Sequence, residues 1–139
     1  MIDSKTAPYA ALLLRVSLGA LFLAHASLKL FVFTPAGTVG FFQSLGLPGT
    51  LAYVTIALEV IGALLLISGL FVRLVSLALI PILLGAIAFV HGQNGWLFSN
   101  ENGGWEFPAF WAMALLVQAL LGSRTGGLLP RFNKHGLGR

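Results

Sequence analysis

Residues 51–90 read LAYVTIALEVIGALLLISGLFVRLVSLALIPILLGAIAFV, and this stretch decides the fold. From Ala57 to Ile67 each residue except Glu59 is apolar, whereas a membrane β-strand alternates apolar and polar residues. The stretch is about twice as long as the roughly 20 residues that one helix needs to cross a bilayer. It therefore predicts two membrane-spanning helices joined by a tight turn.

The turn is expected between Gly69 and Arg73. Glycine commonly ends a helix because it adopts left-handed backbone angles freely, and an arginine suits a membrane surface. The two helices of this hairpin are therefore expected at about residues 51–71 and 74–90.

Two more apolar segments flank the hairpin, at about residues 8–32 and 105–121. Each segment has about the length that a spanning helix needs. The four segments predict an all-α fold, an integral membrane four-helix bundle that forms a single domain. A basic cytoplasmic tail is expected to follow it at residues 122–139.

Composition agrees with a membrane protein. Hydrophobic residues make up 58% of the 139-residue chain and charged residues 9%, whereas soluble domains carry about 25% charged residues. Such a chain does not fit a soluble monomer, nor a disordered chain, which lacks apolar residues. Because the sequence contains no cysteine, it excludes disulfides, thiol redox chemistry and iron–sulfur or zinc sites with cysteine ligands.

The basic residues predict the orientation. The loops at residues 33–50 and 91–104 contain no lysine or arginine. By the positive-inside rule, both termini are expected in the cytoplasm. The lipid bilayer is thus the expected partner, and nucleic acid is not, because the basic residues are few and scattered. Those on the inner side are Lys5, Arg73, Arg124, Arg131, Lys134 and Arg139.

Both outer loops carry further signals. Thr34 and Pro35 are typical of a helix start, and Gly46 and Pro48 of a helix end. The first loop therefore predicts a short amphipathic helix in the outer membrane interface. The second loop is rich in Gly and Asn, with tryptophans that suit an interfacial aromatic belt. We expect both loops to anchor the protein, with contact to a substrate as the alternative.

Ionisable residues inside the spans are the candidate functional residues, because such groups are costly in hydrocarbon and normally face protein. Successive residues of an α-helix are rotated by about 100° around its axis, which places Arg15, His25 and Lys29 on one side of the first span. Lys29 is expected to pair with Glu59 or Glu106, and a contact between His25 and Glu59 is also expected from their depths. The predicted cluster in the outer half of the bundle consists of His25, Lys29, Glu59, His91 and Glu106.

Arg15 lies in the inner half of the first span, on the same side as His25 and Lys29. Gln118 of the fourth segment is a candidate partner for it. Arg15 can instead extend its long side chain to the cytoplasmic surface, so a structural role and a functional role both stay open. Together with Arg73, these residues are expected to have structural or topological roles.

The outer cluster has two interpretations. Polar pairs between membrane helices can simply hold the helices together. Alternatively, the cluster forms an outward-facing polar pocket for a ligand head group such as a quinone, whose carbonyl needs a hydrogen-bond donor with a carboxylate or histidine nearby. Haem ligation by His25 and His91 is disfavoured because their depths differ. No short ligand motif predicts a metal site.

Four stretches resemble the DoxX family of small bacterial membrane proteins: LLLRVSLGALFLAHASLKLF (12–31), GTVGFFQSLGLP (37–48), ALEVIGALLLISGLFVRL (57–74) and HGQNGWLFSNENGGWEF (91–107). The resemblance covers about Leu12 to Leu121. One departure is Ala26-Ser27, where the family suggests a glycine-containing pair. The resemblance implies a four-helix membrane protein, and its motif positions here are Arg15, His25, Lys29, Glu59, Arg73 and Glu106.

For function, the resemblance implies a link to redox metabolism. Some relatives belong to redox complexes, and DoxD-type proteins form a subunit of a thiosulfate:quinone oxidoreductase. We therefore expect a redox-associated membrane subunit, quinone-linked or stress-related, although no catalytic motif is complete. The alternatives are a structural or assembly subunit, held by redox-enzyme partners or as a homo-oligomer, and an oligomeric transporter.

Overall fold

The fold is built from apolar helices, which a computed structural model describes over residues 1–122. These residues contain helices and turns but no strand. Most of the predicted tail, including Arg124, Arg131, Lys134 and Arg139, lies outside the described residues. The helices are α1 (Ala7–Ser27), α2 (Thr34–Ser44), α3 (Thr50–Ser68), α4 (Val72–Ala86) and α5 (Glu106–Leu121), and π-helical turns extend α1 over Leu28–Val32 and α4 over Ile87–His91.

Three helical segments are long and apolar enough to cross a membrane: Ala7–Val32, Thr50–Ser68 and Val72–His91. Their bounds lie within a few residues of the predicted spans, and the chain is a membrane protein built from helices. The helix α5 is also apolar but has only 16 residues. Because a span needs about 17–25 residues, α5 is at the short limit.

The turn between α3 and α4 confirms the predicted hairpin. Gly69 has a φ of 78°, and the amides of Gly69 and Leu70 both donate to the Leu65 carbonyl oxygen, at 2.9 and 3.0 Å. This is how a left-handed glycine ends a helix. After the turn, Arg73 Nε donates to the Ala119 carbonyl oxygen of α5 at 2.9 Å. A cation at a helix C-terminus is favourable because the helix dipole is negative there.

The long helices pack in a closed order. The helix α1 contacts α3, α3 contacts α4, α4 contacts α5, and α5 contacts α1. The helices α1 and α3 approach each other closely at Gly19, where an added Cβ would lie 2.6 Å from Ile67 Cγ1 and 3.0 Å from the Ala63 carbonyl oxygen. Glycine at this position lets the two backbones approach, as small residues do between membrane helices. Large core side chains include Phe22, Leu66, Leu79 and Leu115.

The first outer loop contains the predicted short helix, α2. Thr34 Oγ1 accepts a hydrogen bond from the Gly37 amide at 3.2 Å, as the side chain of a capping residue does. Thr38 is buried, and its single hydroxyl proton is shared between the carbonyl oxygens of Thr34 at 2.9 Å and Lys29 at 3.4 Å. The helix α2 is therefore hydrogen-bonded to the π-helical turn at the end of α1, and it also packs against α3.

Candidate functional site

An ion pair between α1 and α3 forms the centre of the candidate site. Lys29 Nζ lies 2.9 Å from Glu59 Oε1 and 3.0 Å from Oε2, so the ammonium donates to both carboxylate oxygens. The Glu59 side chain is 3% exposed, whereas the Lys29 side chain is 20% exposed. Of the two pairings that the sequence left open for Lys29, the structure shows the one with Glu59. One charge is thus enclosed by protein, whereas its partner belongs to a partly exposed side chain and has a third N–H that the carboxylate does not use.

Local backbone structure positions both partners. Lys29 lies in the π-helical turn Leu28–Val32, which changes the direction of the side chains that follow α1. Such turns are rare, and they are frequent at functional sites. The Thr38 hydroxyl braces this turn from α2. Glu59 lies on the buried face of α3, one turn from Ile56 on one side and from Gly62 and Ala63 on the other.

His25 lies one helical turn before Lys29. Its Nδ1 is 2.9 Å from the Leu21 carbonyl oxygen, and its ring packs against Trp111 of α5 with 4.7 Å between the ring centroids. Because a carbonyl oxygen only accepts, Nδ1 carries the proton and donates. His25 is also within electrostatic range of Glu59. The structure therefore brings His25, Lys29 and Glu59 into one neighbourhood, in which hydrogen bonds join Lys29 to Glu59 and His25 to Leu21.

Trp111 is a residue of this neighbourhood that the sequence reasoning missed. Its indole ring is 5% exposed and contacts Phe22 at 4.7 Å and Phe107 at 5.7 Å between ring centroids. Tryptophans of membrane proteins concentrate at the two interfaces. Trp111 lies in the second turn of the apolar helix α5, further into the predicted span than Trp105. This position was the sequence signal that Trp111 is not an interfacial tryptophan.

The other two members of the predicted cluster bind the second outer loop instead. His91 Nδ1 lies 2.8 Å from the Gly103 carbonyl oxygen, and Glu106 Oε1 accepts a hydrogen bond from the Phe98 amide at 3.2 Å. His91 lies in the π-helical turn at the end of α4, and Glu106 is the first residue of α5. The predicted group of five is therefore divided into an ion-pair site and a loop-binding pair.

The second outer loop is a folded element. The amides of Trp105 and Glu106 donate to the carbonyl oxygens of Gly95 and Trp96, both at 3.0 Å, and the Trp96 and Trp105 rings meet edge to face at 4.5 Å. Gly104 has to be glycine because an added Cβ would overlap the Gly95 carbonyl oxygen. Ring contacts of Phe98 with Phe107, and of Phe107 with Trp111, then connect this loop to the ion-pair site.

A different set of buried polar residues lies toward the opposite ends of the helices from the ion pair. Arg15 is 2% exposed, and Ser76 and Gln118 are fully buried. An arginine that extended to the cytoplasmic water would be exposed, so the burial of Arg15 argues against that conformation. The hydrogen bond of Gln118 Nε2 goes to the Gly122 carbonyl oxygen at 3.4 Å, near the end of α5. Within residues 1–122, no three His, Asp or Glu side chains group so as to hold a metal ion.

The geometry defines the chemistry that the ion-pair site can perform. Lys29 supplies an ammonium with a third N–H on a partly exposed side chain, Glu59 supplies a buried carboxylate that orients it, and His25 supplies an imidazole beside an aromatic surface. Charged donors form stronger hydrogen bonds than neutral ones, particularly away from water. Such a site can bind a polar, acceptor-bearing head group attached to an apolar molecule.

Comparison with known proteins gives consistent matches. The model of the DoxX family matches residues 10–92, which include Arg15, His25, Lys29, Glu59 and Arg73. The chain is 36% identical over 127 residues to the protein named "Putative oxidoreductase CatD" of Bacillus subtilis (strain 168). That match covers 91% of this chain and 90% of the relative. No solved structure matches the chain significantly.

The Lys29–Glu59 pair predicts strong energetic coupling. Lys29→Met leaves a buried carboxylate without its partner, so we expect it to lower the free energy of unfolding by about 2 kcal/mol. The double variant Lys29→Met/Glu59→Leu removes both charges and should lose less than the sum of the single variants. The expected coupling is about 1–2 kcal/mol, measured by unfolding in mixed micelles.

Lys5→Met and Glu101→Leu are the matched control, because they remove the same types of charge from exposed positions. This control cycle should show no coupling. Additive losses for Lys29 and Glu59, as in the control, would contradict the pairing.

Proposed function

Since the chain belongs to the DoxX family, we propose that it is a membrane subunit of quinone-linked or stress-related redox metabolism. In this proposal the ion-pair site of His25, Lys29 and Glu59 is an outward-facing pocket that binds a quinone head group. The family match and the name of the Bacillus subtilis relative, which describes an oxidoreductase, support the redox setting. The ion pair is the observation that supports the pocket.

The residues of the site fit a quinone. A quinone ring is planar and apolar, and its two carbonyl oxygens accept hydrogen bonds. The third N–H of the Lys29 ammonium can donate to one carbonyl, while Glu59 holds that ammonium in place through both of its oxygens. Phe22 and Trp111 supply aromatic surface next to His25. When bound, the quinone would supply two-electron redox chemistry, and His25, Lys29 and Glu59 would orient it and hold protons near its oxygens.

A quinone also needs a source of electrons. We propose that a redox-enzyme partner subunit in the membrane supplies them, in line with the redox complexes that the family resemblance implies. This chain would then contribute the head-group site and the membrane attachment. A mild-detergent purification tests this arrangement, because it predicts a stable redox-enzyme partner, whereas a homo-oligomer alone would argue against it.

The same proposal includes a membrane orientation. We propose that α5 is the fourth span of the bundle, that both termini lie in the cytoplasm, and that the chain lies in the bacterial inner membrane. Because α5 packs against both α1 and α4, its contacts support a placement of all four helices side by side in the membrane. The ion pair would then lie in the outer half of the membrane, and α2 would lie in the outer interface.

The absence of cysteine allows a clean test of this orientation. Single cysteines at Asp3 and Glu101 should be labelled by a membrane-impermeant maleimide from opposite sides. In intact spheroplasts we expect labelling of Glu101→Cys and protection of Asp3→Cys, with the reverse in inverted vesicles. Labelling of both positions from one side would contradict an odd number of crossings between them.

Quinone binding is the direct test of the proposed pocket. Purified protein in lipid nanodiscs should bind decylubiquinone, and Lys29→Met should weaken binding about tenfold because it removes a charged donor. Glu59→Gln should also weaken binding, since the ammonium loses the group that orients it. Glu101→Gln is the matched control in an exposed loop and should leave the affinity unchanged. Equal affinity in all four proteins would refute the assignment of these residues.

A structural or assembly subunit is the second candidate function. The observation in its favour is that both oxygens of Glu59 already bind Lys29, as in an ion pair that only joins two helices. This candidate predicts that Lys29→Met weakens association with a partner or with a second copy of the chain, while the protein binds no quinone. Size-exclusion chromatography with light scattering, run beside the quinone titration, separates the two candidates.

A further inference from the structure

The indole N–H of Trp111 has no hydrogen-bond acceptor among the described residues, although the side chain is only 5% exposed. Buried N–H groups nearly always have an acceptor, so an exception needs an explanation. The indole cannot easily turn away, because its ring is packed against Phe22, His25 and Phe107 at centroid distances of 4.7, 4.7 and 5.7 Å. The simplest explanation is an acceptor that arrives with a ligand.

His25 presents the complementary group. Its Nδ1 donates to the Leu21 carbonyl oxygen, so in the neutral ring the other nitrogen, Nε2, carries a lone pair and accepts. The side chain is only partly buried, and Nε2 is not among the enclosed polar atoms that lack a partner. Because the His25 and Trp111 rings are in contact, a ligand group that reaches one of them lies beside the other. The indole donor and the imidazole acceptor thus belong to two rings in contact, and His25 lies one helical turn before Lys29 of the ion pair.

We propose that Trp111 Nε1–H and His25 Nε2 together bind a phenolic hydroxyl, so that the site prefers a quinol to the corresponding quinone. This inference rests on the proposed function and specifies the ligand's redox state. A hydroxyl accepts from the indole N–H and donates to Nε2, which uses both groups. A quinone carbonyl accepts from the indole but has no proton for Nε2. The quinol thus makes one more hydrogen bond at this end of the site.

The second oxygen of the bound quinol or quinone ring would lie beside Lys29. Lys29 has a third N–H that can donate to the oxygen of either redox form. Lys29 therefore contributes affinity without discriminating between quinol and quinone, whereas His25 contributes the discrimination. Trp111 binds both forms through its N–H, so its loss should weaken both.

Paired titrations under anaerobic conditions test this division of roles. Wild-type protein in nanodiscs should bind decylubiquinol about fivefold more tightly than decylubiquinone, as expected for one additional hydrogen bond. His25→Phe keeps an aromatic ring against Trp111 and should bind the two forms equally. Trp111→Phe should weaken both by a similar factor. Trp96→Phe, in the outer loop, is the matched control and should keep the wild-type preference.

The outcomes separate this inference from the proposed function. Wild-type protein that binds both forms with equal affinity overturns the inference alone, and so does an unchanged preference in His25→Phe. Wild-type protein that binds neither form overturns the proposed function, and the inference with it.

A second measurement does not depend on the folding of the binding variants. The chain has three tryptophans, so protein labelled with 15N-tryptophan should give three indole N–H signals. When decylubiquinol binds, only the Trp111 signal should move downfield. That signal is assigned by its loss in Trp111→Phe, or by elimination from the signals lost in Trp96→Phe and Trp105→Phe. A Trp111 signal that stays unchanged at saturating ligand overturns the role of its N–H.

Discussion

Two opposite charges in an apolar protein constrain the part of this molecule where α1, α2 and α3 meet. Glu59 is enclosed in the helix packing, and a buried carboxylate is tolerated only when a partner compensates it. Lys29 provides that compensation from the end of α1, which fixes both the rotation of α1 against α3 and the depth at which they meet. The close approach at Gly19 fixes the same pair of helices nearer the inner side. The arrangement of α2 follows, since Thr38 binds the turn that carries Lys29.

The remaining outer elements surround this pair. Trp111 and His25 place an aromatic contact between α5 and α1, and Phe107 and Phe98 continue it to the second outer loop. His91 and Glu106 hold that loop by single hydrogen bonds to its backbone. The five residues that the sequence assigns to one cluster thus fall into two groups, since three form the candidate ligand site and two bind the backbone of the loop beside it.

Much of the fold could be predicted because it depends on local features. The hydropathy of residues 51–90 locates two helices, and Gly69 marks the turn because a left-handed residue is needed there. The pairing of Lys29 with Glu59 was one of two predicted options, since rise per residue gives depth but not helix rotation. The roles of Trp111, His91 and Glu106 were not predictable in the same way. They depend on which helices touch and on how the glycine-rich loop folds, and both are properties of tertiary packing.

The arrangement of these helices depends on Lys29 and Glu59 being paired in a lipid bilayer. Solid-state NMR of protein labelled with 15N-lysine and 13C-glutamate, reconstituted in lipid, measures the distance between Lys29 Nζ and Glu59 Cδ directly. We predict a strong through-space correlation corresponding to about 3–4 Å, which Lys29→Met removes. A missing correlation, or one between Lys29 and Glu106 instead, would contradict the account.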